Sequence, residues 1–399
     1  MNINKDNRIN HELKRHKFIL LSGDHYNPLG VVRSLGEKGI RPIVILNSKR
    51  PHLINVSKYP QKIHLVNSAE EGVILLLKLY SNEQYKPFVY SCSDDVCCLL
   101  DSYYNELVDK FFFFHGKEQG IISYYLDKAN INDIAIKYGC NVLKFEILNK
   151  GELPRNLKYP VLTKAMNSTL YAWKNEMHIC NNSEELLEAY KSIRSDRILV
   201  QEYIKKKNEL CIDGFSINNG KDVYIPYYTN YLRFSDLSYG AYMSIKPFNQ
   251  NYIYKAVKKI LSEIGYTGIF EVEFLIDNKN KLHFLEVNFR NSTWSYGYTY
   301  GGYNMPYLWA LGTLIGSIDI SNIVPKKKFI ALAEEEDYEM MVKSHRVSLW
   351  KWLKDFFNAD CYYLFNKKDQ KPFWNRIVRI WINYPIRKIA HLFGKKWKE

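Results

Sequence analysis

Three glutamates, an asparagine and an arginine recur at alternating positions in two neighbouring segments of this chain. They are Glu271, Glu273, Glu286, Asn288 and Arg290. Both segments alternate apolar and polar residues as strands do, and the turn-forming run at 277–281 predicts that they form a hairpin. Because side chains alternate between the two faces of a strand, all five then project from the same face of the hairpin.

The expected register brings like charges together. Pairing of Asp277 with Leu282 places Glu273 directly opposite Glu286, and like charges that face each other across a sheet destabilise it. A divalent cation removes that cost, and carboxylate and amide oxygens are ligands that suit Mg²⁺. Arg290, at the end of the row, suits a phosphate group. On pattern alone, the alternative is the solvated acidic face of an ordinary hairpin.

The two segments, EVEFL and FLEVNFR, resemble the metal-binding hairpin of the ATP-grasp superfamily. The resemblance implies that Glu273, Glu286 and Asn288 hold Mg²⁺, with Mn²⁺ as an alternative, on the phosphates of ATP. It also implies that Arg290 is a catalytic residue near the transferred phosphate.

Two lysines match this superfamily in the expected order. Lys128, in LDKANINDIA, resembles the lysine that opens the nucleotide-binding lobe, and Lys164, in YPVLTKA, resembles the lysine over the α- and β-phosphates. The segment after Lys164 contains no glycine, unlike the usual phosphate loop. Asn167, Ser168 and Thr169 offer backbone and hydroxyl donors there instead.

The segment ILVQEYI resembles the strand whose backbone contacts adenine in these proteins. The resemblance implies nucleotide contacts at Gln201, Glu202 and Ile204, and a ribose-binding acid at Glu209. Residues 205–208 are less glycine-rich than is usual at this point.

Within the superfamily, the chain looks most like bacterial carboxylate–amine ligases that include the D-aspartate ligases. That resemblance implies an ATP-dependent enzyme that joins a small carboxylate and an amine, one of them an amino acid, through an acyl phosphate. It suggests attachment to a cell-envelope or polysaccharide precursor. The alternative is a non-catalytic ATP-binding regulatory or scaffold protein at the membrane surface.

The sequence leaves the roles of Arg233 and of the neighbouring acids Asp94 and Asp95 open. Arg233 lies between the adenine-contacting segment and the hairpin, and it either binds a substrate carboxylate or the γ-phosphate, or is a solvated arginine. Asp94 and Asp95 either bind a substrate amine or serve as first-turn acids of a capped helix.

The first 122 residues alternate short apolar runs with helix-like stretches, which predicts a parallel sheet covered on both faces. Ligands of such sheets bind at the carboxyl ends of the strands. The loops Gly23–Gly30 and Ser91–Asp95 fall there. From residue 123 the pattern becomes α+β, beginning with one helix that ends at Gly139.

These patterns together predict three parts. An α/β domain at 1–122 precedes a two-lobed ATP-grasp domain at 123–335 and a basic, aromatic, helical extension at 336–399. The formal net charge is +14, and residues 341–399 hold 14 Lys and Arg against four Asp and Glu. With the charge concentrated in one tail and no nucleic-acid motif, nucleic acid is not expected as a partner.

The extension contains two segments rich in aromatic and basic residues, 345–357 and 373–393. As a helix, 373–382 has an apolar face of Phe373, Trp374, Ile377, Val378, Ile380 and Trp381. Arg376 and Arg379 fall on the other side, and Pro385 is expected to end the helix. This face either packs on the enzyme body or lies in a membrane interface. The scattered cysteines indicate reduced thiols in the cytoplasm.

Overall fold

The N-terminal part forms the expected parallel sheet, because its short apolar runs are buried between helices. The computed structural model describes residues 11–166, 176–235 and 238–379. Strands run in the order β3-β2-β1-β4, all parallel. They are β1 Phe18–Gly23, β2 Ile43–Asn47, β3 Lys62–Val66 and β4 Phe88–Ser91. The accompanying helices are α1 Tyr26–Glu37, α2 Ala69–Tyr80, α3 Asp94–Ser102 and α4 Tyr104–Leu107, with a 3₁₀ turn at Ile54–Val56.

The loop after β1 is shorter than expected. Helix α1 begins at Tyr26 and is capped by His25, whose side chain accepts a hydrogen bond from the backbone N–H of Asn27. Gly30 is therefore a helical residue. A Cβ at that position would lie 2.9 Å from the Cβ of Tyr296. Gly30 thus permits close packing of α1 on the rest of the chain and is not part of a ligand loop.

A small antiparallel sheet follows, with strand order β5-β8-β6-β7. Its strands are β5 Phe145–Asn149, β6 Val161–Ala165, β7 Ile179–Cys180 and β8 Arg197–Glu202. The helices in this part are α5 Ile121–Leu126, α6 Lys128–Lys137 and α7 Ser183–Ser192. The prediction of one helix ending at Gly139 was wrong. The chain is extended at Asp127, whose carboxylate caps α6 by accepting the N–H of Ala129 at 2.9 Å.

The largest sheet has the order β13-β12-β9-β10-β11-β14-β15. All its pairs are antiparallel except β14 with β15. Its strands are β9 Asn208–Ile217, β10 Asp222–Arg233, β11 Tyr242–Pro247, β12 Gly268–Ile276, β13 Leu282–Asn288, β14 Phe329–Leu332 and β15 Cys361–Tyr362. Helices α8 Asn251–Ile264, α9 Ser295–Tyr300 and α10 Met305–Ile315 belong to this part. One hydrophobic core runs from the α1 face of the parallel sheet into this larger sheet.

The remaining elements are α11 Glu334–Asp337, a π-helical turn at Tyr338–Val342, α12 Leu349–Asn358 and α13 Lys371–Ile377. The predicted boundary after residue 335 falls between β14 and β15, two neighbouring strands of the same sheet.

The predicted apolar face of the extension is only partly packed. Trp374 is 54% exposed and Val378 43%. Arg376, on the other side of this helix, pairs with Glu335. Ile380, Trp381, Pro385 and the basic residues beyond them lie outside the described residues. Within the described residues, no helix combines the length and apolar character needed to cross a bilayer.

Arg33 of α1 links the N-terminal sheet to the segment that follows β15. Its guanidinium is fully buried and donates to the Asp369 carboxylate at 3.1 Å and to the carbonyl oxygens of Tyr363 and Leu364, each at 2.9 Å. The Asp369 carboxylate also accepts the hydroxyl of Ser57 at 2.8 Å. Every charged atom of this pair therefore has polar partners, which a buried ion pair requires.

We expect Arg33→Met to lower the free energy of unfolding by about 3–5 kcal/mol, because it leaves the Asp369 carboxylate buried without its cation. Equilibrium denaturation measures this change. Arg41→Met is the control, since Arg41 is exposed and makes a single hydrogen bond to the carbonyl of Pro60. A loss below about 1 kcal/mol for Arg33→Met, as is usual for surface pairs, would contradict the assignment.

Candidate functional site

The predicted hairpin forms, and its register near the acidic residues is the expected one. Glu271 pairs with Asn288, and Glu273 pairs with Glu286. The amide nitrogen of Asn288 donates to Glu271 at 3.2 Å and to Glu273 at 3.1 Å. Asn288 thus holds two carboxylates in place.

Nearer the turn, the register differs from the prediction by one residue. Leu282 pairs with Ile276 and not with Asp277. A bulge between Glu273 and Phe274 absorbs the difference, so the acidic row keeps its alignment.

A third strand adds two polar residues that the sequence analysis missed. Strand β9 lies beside β12 and places Cys211 opposite Glu273 and Asp213 opposite Glu271. Ligand atoms of Glu209, Cys211 and Glu273 all lie within 4.8 Å of one another. The alternation of Glu209, Cys211 and Asp213 was the available signal, although nothing local shows which strand lies next to β9.

The carboxylates raise each other's pKa values. Burial, followed by repulsion from Glu286 and Glu271, raises the pKa of Glu273 well above its usual range. Burial and the neighbouring Glu271 do the same to the pKa of Asp213, which is fully buried. The surroundings of Glu273 and Asp213 therefore do not fully compensate the charged forms of these carboxylates.

Two lysines from the preceding part of the chain reach this face. The Nζ of Lys128 lies 2.8 Å from Glu286, and mainly through this pairing the pKa of Glu286 is lowered to about 2. Lys164 lies on β6, and burial followed by repulsion from Lys128 lowers the pKa of Lys164 to about 8. Lys128 has a carboxylate partner, whereas the charge of the neighbouring Lys164 is only partly compensated. Two such neighbouring cations suit an anionic ligand such as a phosphate.

Arg290 lies at the end of the row. Its Nε donates to Asp94 at 3.0 Å, and its Nη1 lies 3.6 Å from Glu271. Although burial opposes its charge, Asp94 and Glu271 raise the pKa of Arg290 further above its usual range. Ser93 is the N-cap residue of α3, so Asp94 and Asp95 are first-turn acids of a helix. Asp94 in addition orients the arginine.

The residues predicted to contact the nucleoside lie along β8 and just after it. The backbone N–H of Glu202 donates to the carbonyl of Lys144 at 2.9 Å, and Gln201 pairs with β5 and β6 on either side. Ile204 follows the strand. The Glu209 carboxylate accepts a hydrogen bond from Lys206 at 2.5 Å, and burial raises its pKa. Their nucleotide contacts stay predictions.

Arg233 makes different contacts from those predicted. Its guanidinium pairs with both Asp337 and Asp355, and it stacks over the ring of Tyr242 at 4.4 Å. These contacts tie β10 to the C-terminal segment. Substrate binding by Arg233 stays a prediction. The proposed phosphate donors Asn167, Ser168 and Thr169 lie outside the described residues.

Comparison with known proteins supports the ATP-grasp interpretation. The family model for the carbamoyl-phosphate synthase L chain, ATP-binding domain, matches residues 129–295. An N5-carboxyaminoimidazole ribonucleotide synthase of Staphylococcus aureus (strain MRSA252) is 31% identical over 134 residues. That match covers 33% of this chain and 34% of the relative, so it spans about a third of the relative's length.

Solved structures share the fold over most of both chains. The N5-carboxyaminoimidazole synthetase of Staphylococcus aureus complexed with ADP superimposes with a TM-score of 0.64 at 15% identity, covering 82% of this chain and 85% of that one. The L-amino acid ligase of Bacillus licheniformis gives a TM-score of 0.61 at 14% identity and 79% coverage of each chain. The chain therefore has the mixed α/β ATP-grasp fold with an N-terminal parallel sheet, as predicted.

The lowered pKa of Lys164 predicts a pH-dependent stability. Folding depresses the pKa from 10.5 to about 8, so the unfolded chain binds more protons between these values. Stability therefore rises as the pH increases from about 8 to 10.5. Lys164→Met no longer has to bury a charged ammonium group. We therefore expect its free energy of unfolding to exceed that of the parent below pH 8 by up to about 3 kcal/mol, and this difference to shrink towards pH 10.5.

Chemical denaturation at several pH values measures the difference. Lys279→Met, at an exposed turn position, is the control. A constant difference between Lys164→Met and the parent from pH 7 to 10.5 would show that Lys164 keeps its normal pKa.

Proposed function

We propose that this chain is an ATP-dependent ligase that joins a carboxylate to an amine through an acyl phosphate. One observation carries the proposal. The row of Glu273, Glu286 and Asn288 lies next to Lys128, at the start of α6, and Lys164, on β6 of the small sheet. Acidic residues able to hold a cation, next to cations able to hold phosphates, are the arrangement that phosphoryl transfer needs.

The residues present fit Mg²⁺ or Mn²⁺. Glu273 and Glu286 are directly opposite each other, and burial and mutual repulsion raise the pKa of Glu273. A divalent cation held by these two carboxylates and the Asn288 side-chain oxygen would remove that repulsion. When bound, such a cation neutralises phosphate charge.

The reaction divides into two displacements. An oxygen of the substrate carboxylate attacks the γ-phosphorus of ATP, and ADP leaves. The unprotonated amine nitrogen then attacks the acyl carbon and releases a proton to solvent. The carbon–oxygen bond to phosphate breaks, and phosphate leaves with that electron pair. Lys128 and Lys164 hold the phosphates. Arg290, fixed by Asp94, stabilises the charge on the transferred group.

The nucleoside contacts belong to the same proposal. Gln201, Glu202 and Ile204 present backbone groups to adenine, and Glu209 accepts from the ribose. The support is that Gln201 and Glu202 lie on β8, the strand beside Lys164 on β6, and that Ile204 follows β8 while Glu209 lies at the start of the next strand, β9.

Two substrate pairs are candidates. The first is an amino acid and a cell-envelope or polysaccharide precursor, which the resemblance to D-aspartate ligases favours. The second pair is the one that yields a carboxylated aminoimidazole ribonucleotide, the product named for the Staphylococcus aureus relative. The 31% identity to that relative over 134 residues favours this second pair. Mass spectrometry of the products formed with each set of substrates separates the two. A non-catalytic ATP-binding protein would release no phosphate with either.

We expect Glu286→Gln to slow phosphate release from ATP by on the order of 100-fold or more, because it removes a charged metal ligand. Asn288→Ala should act similarly, since it loses a ligand and frees two carboxylates. Phosphate release with ATP, Mg²⁺ and a panel of amino acids measures the effect. Glu118→Gln, an exposed carboxylate, is the control. Normal turnover in both variants would refute the metal assignment.

We further propose that the C-terminal extension contacts the cytoplasmic face of a membrane. No residue of α12 is buried, and its Trp350 and Phe357 are 82% and 77% exposed. Lys351 and Lys354 lie on the same helix. Basic residues near an anionic bilayer and aromatic rings at its interface favour such binding.

We expect the full chain to co-sediment with vesicles of anionic lipid at low salt and to be released at high salt. The double variant Trp350→Ala/Phe357→Ala should bind more weakly. Tyr252→Ala is the control, since Tyr252 is 65% exposed on α8. If the parent does not sediment at low salt, the extension has no membrane role.

A further inference from the structure

A second polar cluster borders the metal-binding row. The hydroxyl of Tyr239 donates to one oxygen of Glu336 at 2.6 Å, and the hydroxyl of Tyr26 donates to the other at 3.1 Å. Tyr26 is buried, whereas Glu336 is partly exposed. Two hydroxyls from distant parts of the chain thus fix the orientation of one carboxylate.

This cluster lies beside the row. Tyr239 is close enough to Glu273 for that carboxylate to contribute to the raised pKa of Tyr239, after burial and Glu336. On the other side, the amide nitrogen of Asn27 donates to the carbonyl of Asn291, one residue after Arg290, at 3.0 Å. The cluster therefore lies at the carboxyl end of β1, next to the place proposed for phosphoryl transfer, where ligands of parallel sheets bind.

Glu336 differs from its three neighbours in α11. The Glu334 carboxylate accepts backbone N–H groups from 363–365, Glu335 pairs with Arg376, and Asp337 pairs with Arg233. Among the described residues, no lysine or arginine forms an ion pair with Glu336. Its negative charge is oriented by hydroxyls but not neutralised, so it is suited to a cationic ligand.

His25 provides a complementary donor. Its ring lies 3.9 Å from the Tyr26 ring, centroid to centroid, and it is exposed. Although the residue keeps solvent access, crowding of its ring by neighbouring groups partly desolvates it and lowers the pKa of His25. This effect outweighs the opposing effect of Glu336 and Glu335 and favours the neutral ring. Because Nδ1 accepts the N–H of Asn27 at 3.2 Å, the proton of the neutral ring is on Nε2.

We propose that Glu336, held by Tyr26 and Tyr239, binds the ammonium group of the amine substrate, and that Nε2–H of His25 donates to an oxygen of the same molecule. An amino acid carries both groups, and its ammonium releases a proton to solvent before the nitrogen attacks the acyl phosphate. This inference rests on the proposed ligase function and names its amine subsite. An ammonium offers three donors, and a charge-assisted hydrogen bond to a carboxylate is among the stronger polar contacts.

The test uses the full chain saturated with Mg²⁺ and a non-hydrolysable ATP analogue. Calorimetric titration with the proteinogenic amino acids and D-aspartate identifies one that binds. We expect Glu336→Gln to weaken its binding about 10- to 100-fold, since a hydrogen bond to a charged group is lost. Nucleotide affinity should stay within about two-fold of the parent, because Glu336 is not among the carboxylates that act on Lys128 or Lys164. Glu339→Gln, an exposed acid that pairs with Lys343, is the matched control.

Turnover gives a second readout. Hydroxylamine is uncharged at neutral pH and attacks acyl phosphates without needing an ammonium site. Glu336→Gln should therefore keep hydroxamate formation and raise the KM for the amino acid. Equal amino-acid affinity in Glu336→Gln and the parent, or no amino-acid binding by the parent, overturns the subsite.

The two proposals fail separately. Amino-acid-stimulated phosphate release that is unchanged in Glu336→Gln refutes the subsite and leaves the ligase proposal standing. Absence of phosphate release by the parent refutes the ligase proposal. Amino-acid binding that Glu336→Gln abolishes would still support the subsite in that case.

Discussion

Five carboxylates lie on one face of three adjacent strands, three of them buried and two partly exposed, and the rest of the site depends on how their charge is balanced. They are Glu209, Asp213, Glu271, Glu273 and Glu286. Removing a carboxylate from water is costly unless a cation or hydrogen-bond donors replace the lost hydration. Burial raises the pKa of Glu273, whereas Lys128 lowers that of Glu286. Glu273 and Glu286 face each other, yet their pKa values shift in opposite directions. The charge of Glu286 is therefore compensated by a nearby cation, whereas that of Glu273 is not.

The cations that balance this face come from separate parts of the chain. Lys128 begins α6, Lys164 lies on β6 of the small sheet, and Arg290 follows β13 and is held by Asp94 of α3. The charge balance of the large sheet therefore requires the small sheet and the parallel sheet to be in place. The carboxylates and cations of the protein alone do not fully compensate each other's charge. A bound divalent cation and phosphate would complete this compensation, so ligand binding would also stabilise the folded protein.

The parts of the site that could be predicted from sequence are those encoded by short-range patterns. The hairpin was predictable because alternation and turn residues lie within about 20 positions, and its bulge changed only the pairing near the turn. Asp213 and Cys211 were missed because the neighbour of β9 in the sheet is set by long-range packing. The break at Asp127 was missed because a capping aspartate within a helical pattern resembles an ordinary helical residue. The partners of Arg233 lie 104 and 122 residues further along the chain, and no local pattern indicates them.

The four consecutive acids of α11 show how one helical turn serves several purposes. Successive side chains on a helix point about 100° apart, so four neighbours face four different surroundings. Glu334 reaches the backbone after β15, Glu335 reaches Arg376 of α13, and Asp337 reaches Arg233 of β10. Each of these contacts secures the C-terminal segment, and each carboxylate receives either a cation or several N–H donors. Glu336 instead accepts hydrogen bonds from two tyrosine hydroxyls, those of Tyr26 and Tyr239. Because the contacts of the other three acids fix this turn, the position of Glu336 is preorganised, and such preorganisation favours the binding of a small cation.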